Sequence, residues 1–172
     1  MAEAQLPAEG GPGSDLGPGR DSVQLRFRDD EAVDHPAITV DSFVEQGGGA
    51  AVRIEPGDDA RELLPFLADI RLVEVNFPAF GDGRGYTAAR VLREEGYAGE
   101  MRAVGDVLVD QIAYMRRCGF DSFAPDAPLN EDDVAAALDR FPHVYQPTVD
   151  QRRPIWALRH GGNANVDGGQ NE

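Results

Sequence analysis

Residues Asn76–Phe123 read NFPAFGDGRGYTAARVLREEGYAGEMRAVGDVLVDQIAYMRRCGFDSF. Glycines and charges fall at the joints of this stretch and apolar residues fall inside its elements. From Gly85 to about Glu95, Ala88, Val91 and Leu92 share one helical face, while Arg90, Arg93 and Glu94 point away from it. Gly96 ends that helix, and Gly99–Val104 (GEMRAV) predicts a strand. The spacing then predicts a helix over Asp106–Cys118, with Leu108, Ile112 and Met115 inward and Gly119 as the left-handed residue that stops it. Phe120–Ala124 predicts the next strand. Strand and helix thus alternate with almost no slack.

The same alternation extends outward. Upstream, Ala51–Glu55 (AVRIE) and Leu72–Phe77 (LVEVNF) predict strands on either side of a helical segment. That segment is capped by Asp58 or Asp59, with Leu63, Leu67 and Ile70 on its core face. Pro65 inside it predicts a kink or two short helices, because an interior proline costs about 3 kcal/mol. Val23, Leu25 and Phe27 alternate with Gln24, Arg26 and Arg28, which predicts an edge strand with one wet face. Ile38–Val40 predicts another short strand. Ser42 and Glu45 have capping-box spacing before the helix-stopping Gly47-Gly48-Gly49. Downstream, Asn130 and Asp133 imitate a capping box for a helix with Val134, Leu138 and Phe141 inward, ended by Pro142. Val144-Tyr145 and Ile155–Leu158 predict terminal strands. Strand–helix units in tandem mean an α/β fold with a mostly parallel sheet of about four βα units and an added N-terminal edge strand. An open Rossmann-like sheet with helices on both faces and a half-barrel both satisfy the pattern. A closed eight-unit barrel, at about 250 residues, does not. The expected organisation is one domain over 22–159, with disordered, Gly-, Pro- and acid-rich tails over 1–21 and 160–172.

Composition excludes several functions. The 172-residue chain carries a formal charge of −15, against the clustered cations that nucleic acid or an anionic membrane surface requires. All sixteen basic residues are arginine, so no Schiff-base or Walker lysine is present. The single cysteine, Cys118, rules out an internal disulfide and a four-cysteine cluster held by this chain alone. His35, His143 and His160 lack metal-ligand spacing, so no metal site is expected, and no cofactor-ligand set is evident. Without a membrane-length apolar run or a secretory signal, the expected compartment is the cytoplasm.

Sites in parallel sheets lie beyond the carboxyl ends of the strands. This selects Phe77–Gly85, Gly105-Asp106 and Pro125–Asn130. In the first loop Gly81, Gly83 and Gly85 leave backbone N–H groups accessible, the following helix offers its positive N-terminus, and Arg84 adds a full charge. With Arg102 from the next strand, this set would hold a small anion such as sulfite, sulfate, phosphate or a carboxylate. Screening beyond about 8 Å makes these local donors decisive over the net charge. The competing reading is a tight turn in which Arg84 pairs with Asp82 or Asp106. Gly-x-Gly-x-Gly also differs from the dinucleotide Gly-x-Gly-x-x-Gly. Arg102 either lines a pocket or pairs with Glu100 on its own strand face. Asp106 either caps the following helix or serves as a catalytic general base near Arg84. Cys118, at a helix C-terminus whose dipole opposes a thiolate, reads as a core residue.

The phrases FPAFGDGRGYTAARVLRE, GEMRAVGDVLVDQ and RCGFDSF, with VYQP and RRPIWALR further on, resemble a bacterial family of uncharacterised proteins. Its members are usually encoded beside sulfite reductase and are described as oxidoreductases or accessory proteins of assimilatory sulfite reduction. The resemblance spans roughly residues 52–159 and implies a pathway rather than a set of catalytic residues. The residues and the resemblance together lead to the expectation of an accessory protein that docks to sulfite reductase. The alternative is a small-anion-binding oxidoreductase with a borrowed nicotinamide or flavin. A third reading is a dimer built on the exposed faces of the two central helices.

Overall fold

The computed structural model describes residues 23–150 and 152–160; the expected tails lie outside these, apart from His160. Six strands form one sheet: β1 (Leu25–Arg26), β2 (Ile38–Thr39), β3 (Ala51–Ile54), β4 (Leu72–Phe77), β5 (Glu100–Gly105) and β6 (Ser122–Pro125). Their order is β1-β6-β5-β4-β3-β2. Every pairing is parallel except that of β1 with β6. The mostly parallel α/β sheet with an N-terminal edge strand is therefore the observed fold.

From β2 to β6 each strand lies beside its predecessor, so every crossover steps in the same direction. Right-handed crossovers repeated in one direction place all their helices on one face. The sheet is open, and the winding never reverses as it does in a Rossmann sheet. The helix layer comprises α1 (Val40–Glu45), a 3₁₀ segment (Ala60–Phe66), α2 (Arg84–Glu94), α3 (Val109–Cys118) and α4 (Glu131–Asp139). Pro65 lies inside the 3₁₀ segment, whose cap is Asp59. Phe43, Leu63, Leu92, Ile112 and Met115 descend from this layer onto Val52, Val73, Val75, Phe77, Met101 and Phe123 of the sheet, forming one core.

The other face is covered differently. β1 and β2 lie at opposite edges, so residues 27–37 must cross the whole sheet between them. Five strand spacings of about 4.8 Å amount to about 24 Å, which eleven extended residues span easily. This strap packs Val33 and Ala37 against Ala51 and Leu72. Arg26 holds its start by donating to the carbonyls of Arg28 (2.9 Å) and Asp30 (2.5 Å). The face expected to be wet on β1 thus lies under the strap.

Several boundaries move for local reasons. Thr39, not Ser42, caps α1: its Oγ1 accepts from the Ser42 N–H at 3.4 Å. α3 begins at Val109 rather than Asp106, which leaves Leu108 exposed. Asn130 caps α4 as expected, accepting from the Asp133 N–H at 3.1 Å, but α4 stops before Phe141, which is exposed. The two expected terminal strands do not form. Val144-Tyr145 is irregular and Ile155–His160 is a helix, α5. Their backbone groups are used locally: the Pro154 carbonyl accepts from the Ala157 and Leu158 N–H groups at 3.0 and 3.2 Å, and the Val144 carbonyl accepts from the Ile155 N–H at 2.8 Å.

Candidate functional site

The loop from β4 into α2 sits where the sheet geometry directs attention. Gly83 is the residue before α2, with φ −83°. None of Gly81, Gly83 and Gly85 has a positive φ. Gly81 and Gly83 border open space, whereas a Cβ on Gly85 would lie 2.6 Å from the Phe77 ring. Gly85 therefore serves close packing of α2 on β4 rather than an anion cradle. The helix N-terminus already has a carboxylate. Asp82 accepts from the Arg84 N–H at 3.1 Å, from Arg84 Nε at 3.0 Å and from Nη2 at 2.6 Å. These bonds hold the Asp82 carboxyl at about 2 and raise Arg84 in turn. The Arg84 side chain is otherwise 64% exposed. Of the two readings of this loop, the geometry is that of the tight turn closed by an Arg84–Asp82 pair.

Asp106 neither caps α3 nor pairs with Arg84. Its Oδ2 accepts from the Phe80 N–H at 3.0 Å, and its own N–H donates to the Phe77 carbonyl at 2.7 Å. Gln111 completes this clamp, donating to the Phe80 carbonyl at 2.7 Å and accepting from the Leu108 N–H at 3.2 Å. Two strand-end loops are thereby bound together. Gly105, at φ +92°, permits the close approach, because a Cβ there would collide with the Phe77 carbonyl. The third loop is held by Gln24, which donates to the Pro125 carbonyl at 2.8 Å and accepts from the Leu129 N–H at 2.7 Å.

Arg102 is not brought to the glycine loop. It is buried on the strap face, with Nη1 3.2 Å from Glu74 Oε1 and Nη2 2.9 Å from Glu100 Oε1, and it donates to the Val33 carbonyl at 3.3 Å. Glu100 also accepts from Ser122 Oγ at 2.6 Å and from Arg26 Nε at 3.0 Å. Burial pushes the Glu100 carboxyl up, but its bonds from Ser122, Arg102 and Arg26 prevail and hold it below the usual range. Arg53, Glu74, Arg102, Ser122 and Arg26 stand opposite one another across five strands. The charge row is legible in the sequence: AVRI, LVEV and EMRA each carry a charge at the third position, and EMRA carries a second at its first. Of these, only the Glu100–Arg102 pairing was anticipated.

A second region was missed. After α4 the chain turns back along α3. Arg117 anchors it through Asp150 at 3.1 Å and the Gln146 carbonyl at 2.5 Å. Trp156 Nε1 donates to the Tyr145 carbonyl at 3.0 Å. Between α3 and this returning segment lies a cavity of about 550 Å³, lined by Tyr114, Arg116, Phe141, His143, Tyr145 and Arg152 among others. Phe141 is 70% exposed and Tyr145 74%, and Tyr114 and Trp156 are exposed as well. A neighbouring cavity of about 360 Å³ shares Tyr114 and Arg117 and is floored by Cys118. Cys118 is a buried free thiol, and burial raises its pKa, as the core reading requires. Aromatic residues followed by prolines, FPHVYQP, were the available signal, but in the sequence Phe141 reads as the core face of a helix ended by Pro142, and Val144-Tyr145 as a strand.

Residues 51–156, more than half of the chain, match the family described as a bacterial protein of unknown function (DUF934). The protein belongs to that family. No curated protein and no solved structure matches it. Among the described residues, no helix is long and apolar enough to cross a membrane.

Proposed function

We propose that this protein is a docking partner in assimilatory sulfite reduction, acting on sulfite reductase by association rather than by its own catalysis. The pathway comes from the resemblance of residues 52–159 to proteins encoded beside sulfite reductase. One observation carries the docking role: Tyr114, Phe141 and Tyr145 are large, exposed and line one cavity beside α3 and α4, with the exposed Trp156 bonded to the Tyr145 carbonyl. Aromatic residues and arginine are the side chains that dominate binding energy at protein interfaces. A group of large apolar side chains left in water costs stability unless something covers it. The arginines that a sulfite-binding enzyme would use support the same reading. Arg84 is engaged by Asp82, and Arg102 by Glu74 and Glu100.

The test is affinity capture with the tagged full chain from its native cytoplasm under sulfate-limited growth. Sulfite reductase recovered in fixed ratio is the expected result. Its absence, with the protein running as a lone monomer, overturns the reading.

A further inference from the structure

The cavity region has a charge opposite to that of the molecule. Of the charged side chains that line it, Arg116, Arg117 and Arg152 stand against Asp150 alone, in a chain of −15. Arg116 and Arg117 come from α3. Arg117 is neutralised by Asp150. Neither the Arg116 nor the Arg152 guanidinium forms an ion pair among the described residues, although the Asp121 charge acts on Arg116 from a distance. Arg116 stacks its guanidinium 3.7 Å above the Phe27 ring; the Arg152 guanidinium donates to the Pro142 carbonyl at 2.6 Å, while its backbone N–H donates to Asp150 Oδ1 at 3.2 Å. Two guanidinia without an ion pair thus flank a cavity whose other walls combine Tyr114, Leu138, Phe141, Val144 and Tyr145 with His143 and the Arg117–Asp150 pair, in a protein otherwise rich in acid.

We propose that this cavity receives an acidic peptide segment bearing one large apolar side chain, supplied by the partner protein. The apolar side chain enters between Leu138, Phe141 and Tyr145, and flanking carboxylates meet Arg116 and Arg152. Charge-assisted, bidentate bonds from arginine to carboxylate are among the stronger polar contacts available to an interface. A second copy of this chain is a poorer occupant. A two-fold axis through the cavity would set these arginines against their own counterparts. A nucleic acid needs an extended basic track, and the surrounding −15 opposes it. The inference rests on the docking role proposed above and adds the place and the chemistry.

The experiment is selection from a random twelve-residue peptide library on the immobilised full chain, with enriched peptides then measured in solution. The expected result is enrichment of acid-rich peptides containing an aromatic or large aliphatic residue. Their binding should weaken at least ~tenfold in Arg152→Glu and in Phe141→Ser, two changes on exposed side chains, and not in the distant control Arg61→Glu. Arg116→Gln, which keeps most of the stem over Phe27, should weaken binding of acidic peptides while leaving the protein's own unfolding transition in place. No enrichment, basic consensus peptides, equal binding by all variants, or tighter binding to single-stranded DNA would each overturn the proposal. So would a concentration-dependent dimer abolished by Phe141→Ser, which assigns the cavity to a second copy, and so would competition by a peptide of residues 1–21, which assigns it to the chain's own tail. If wild type captures sulfite reductase and Arg152→Glu and Phe141→Ser capture it equally, this inference fails while the docking role stands. If wild type captures nothing yet the peptides are selected as expected, the docking role on sulfite reductase fails alone.

Discussion

On the helix side of the sheet, Val73, Val75, Phe77, Met101 and Phe123 are covered by the side chains of four helices and the 3₁₀ segment. On the strap side, the same strands present Glu74, Glu100, Arg102 and Ser122, equally buried but under only eleven residues of irregular chain. A thick helical layer removes apolar surface from water and requires no particular partner for each side chain. A thin strap offers little apolar area. The charges beneath it are stable only because each finds an opposite charge or a hydroxyl at hydrogen-bond distance. One face is thus held by area and tolerates change in small steps, while the other is held by pairing and fails when one member is removed.

The largest effect expected from this difference is Arg102→Ala. It leaves Glu74 and Glu100 buried without their shared cation and should cost about 3–5 kcal/mol in urea unfolding. A loss below about 1 kcal/mol, the range of an exposed pair, would break the comparison. On the helix side, Leu92→Ala should cost about 2–5 kcal/mol through lost burial and a residual cavity. That cost should be the same at pH 7 and pH 4, and its dependence on pH would remove the distinction between the faces.

Acid sharpens the contrast. The Glu100 carboxyl is held below its ordinary value, which lies near about 4.3 in an unfolded chain. Its contribution is therefore present in full above that value and is lost as pH falls through the folded-state value. Denaturation midpoints measured from pH 7 down to pH 3 should fall less steeply in Glu100→Gln than in wild type. An unchanged slope would place the acid sensitivity elsewhere.

Smaller effects separate the roles of the loop glycines. Gly85→Ala drives a Cβ into the Phe77 ring and should cost about 1–3 kcal/mol by overpacking. Gly83→Ala meets open space and should stay within about 0.5 kcal/mol. The smallest change in stability is expected for Asp82→Asn. Removing that carboxylate frees Arg84, so sulfate or sulfite binding measured by calorimetry should improve in the variant relative to wild type. If wild type already binds as tightly, Asp82 does not occupy the position of the anion.

Much of the fold was legible because period and punctuation act locally. Gly96, Gly119, Asp59 and Asn130 each set a boundary through their own backbone or side chain. The failures came where the deciding contact was distant in sequence. Asp106 looked like a cap because it precedes a helix, yet its carboxylate is taken by Phe80 in another loop. Ile155–Leu158 suited a strand, yet the Ile155 N–H is taken by the Val144 carbonyl, eleven residues back, as the segment turns into a helix. Arg102 and Arg84 seemed to belong together because both follow glycine-rich or strand-end signals. Alternation puts Arg102 under the strap, away from the strand-end loop of Arg84.

The sequence by itself determined the strand–helix alternation, the parallel sheet, the buried thiol of Cys118 and the charge at the third position of three successive strands. These follow from spacing along the chain and from the preferences of single residues. Only the tertiary structure decided that all helices lie on one face, that residues 27–37 close the other, and that Asp82 fills the α2 N-terminus. It alone assembled Arg116, Phe141, Tyr145 and Arg152 around one cavity. Each of those outcomes depends on which segments meet across dozens of intervening residues, and local spacing carries no information about that.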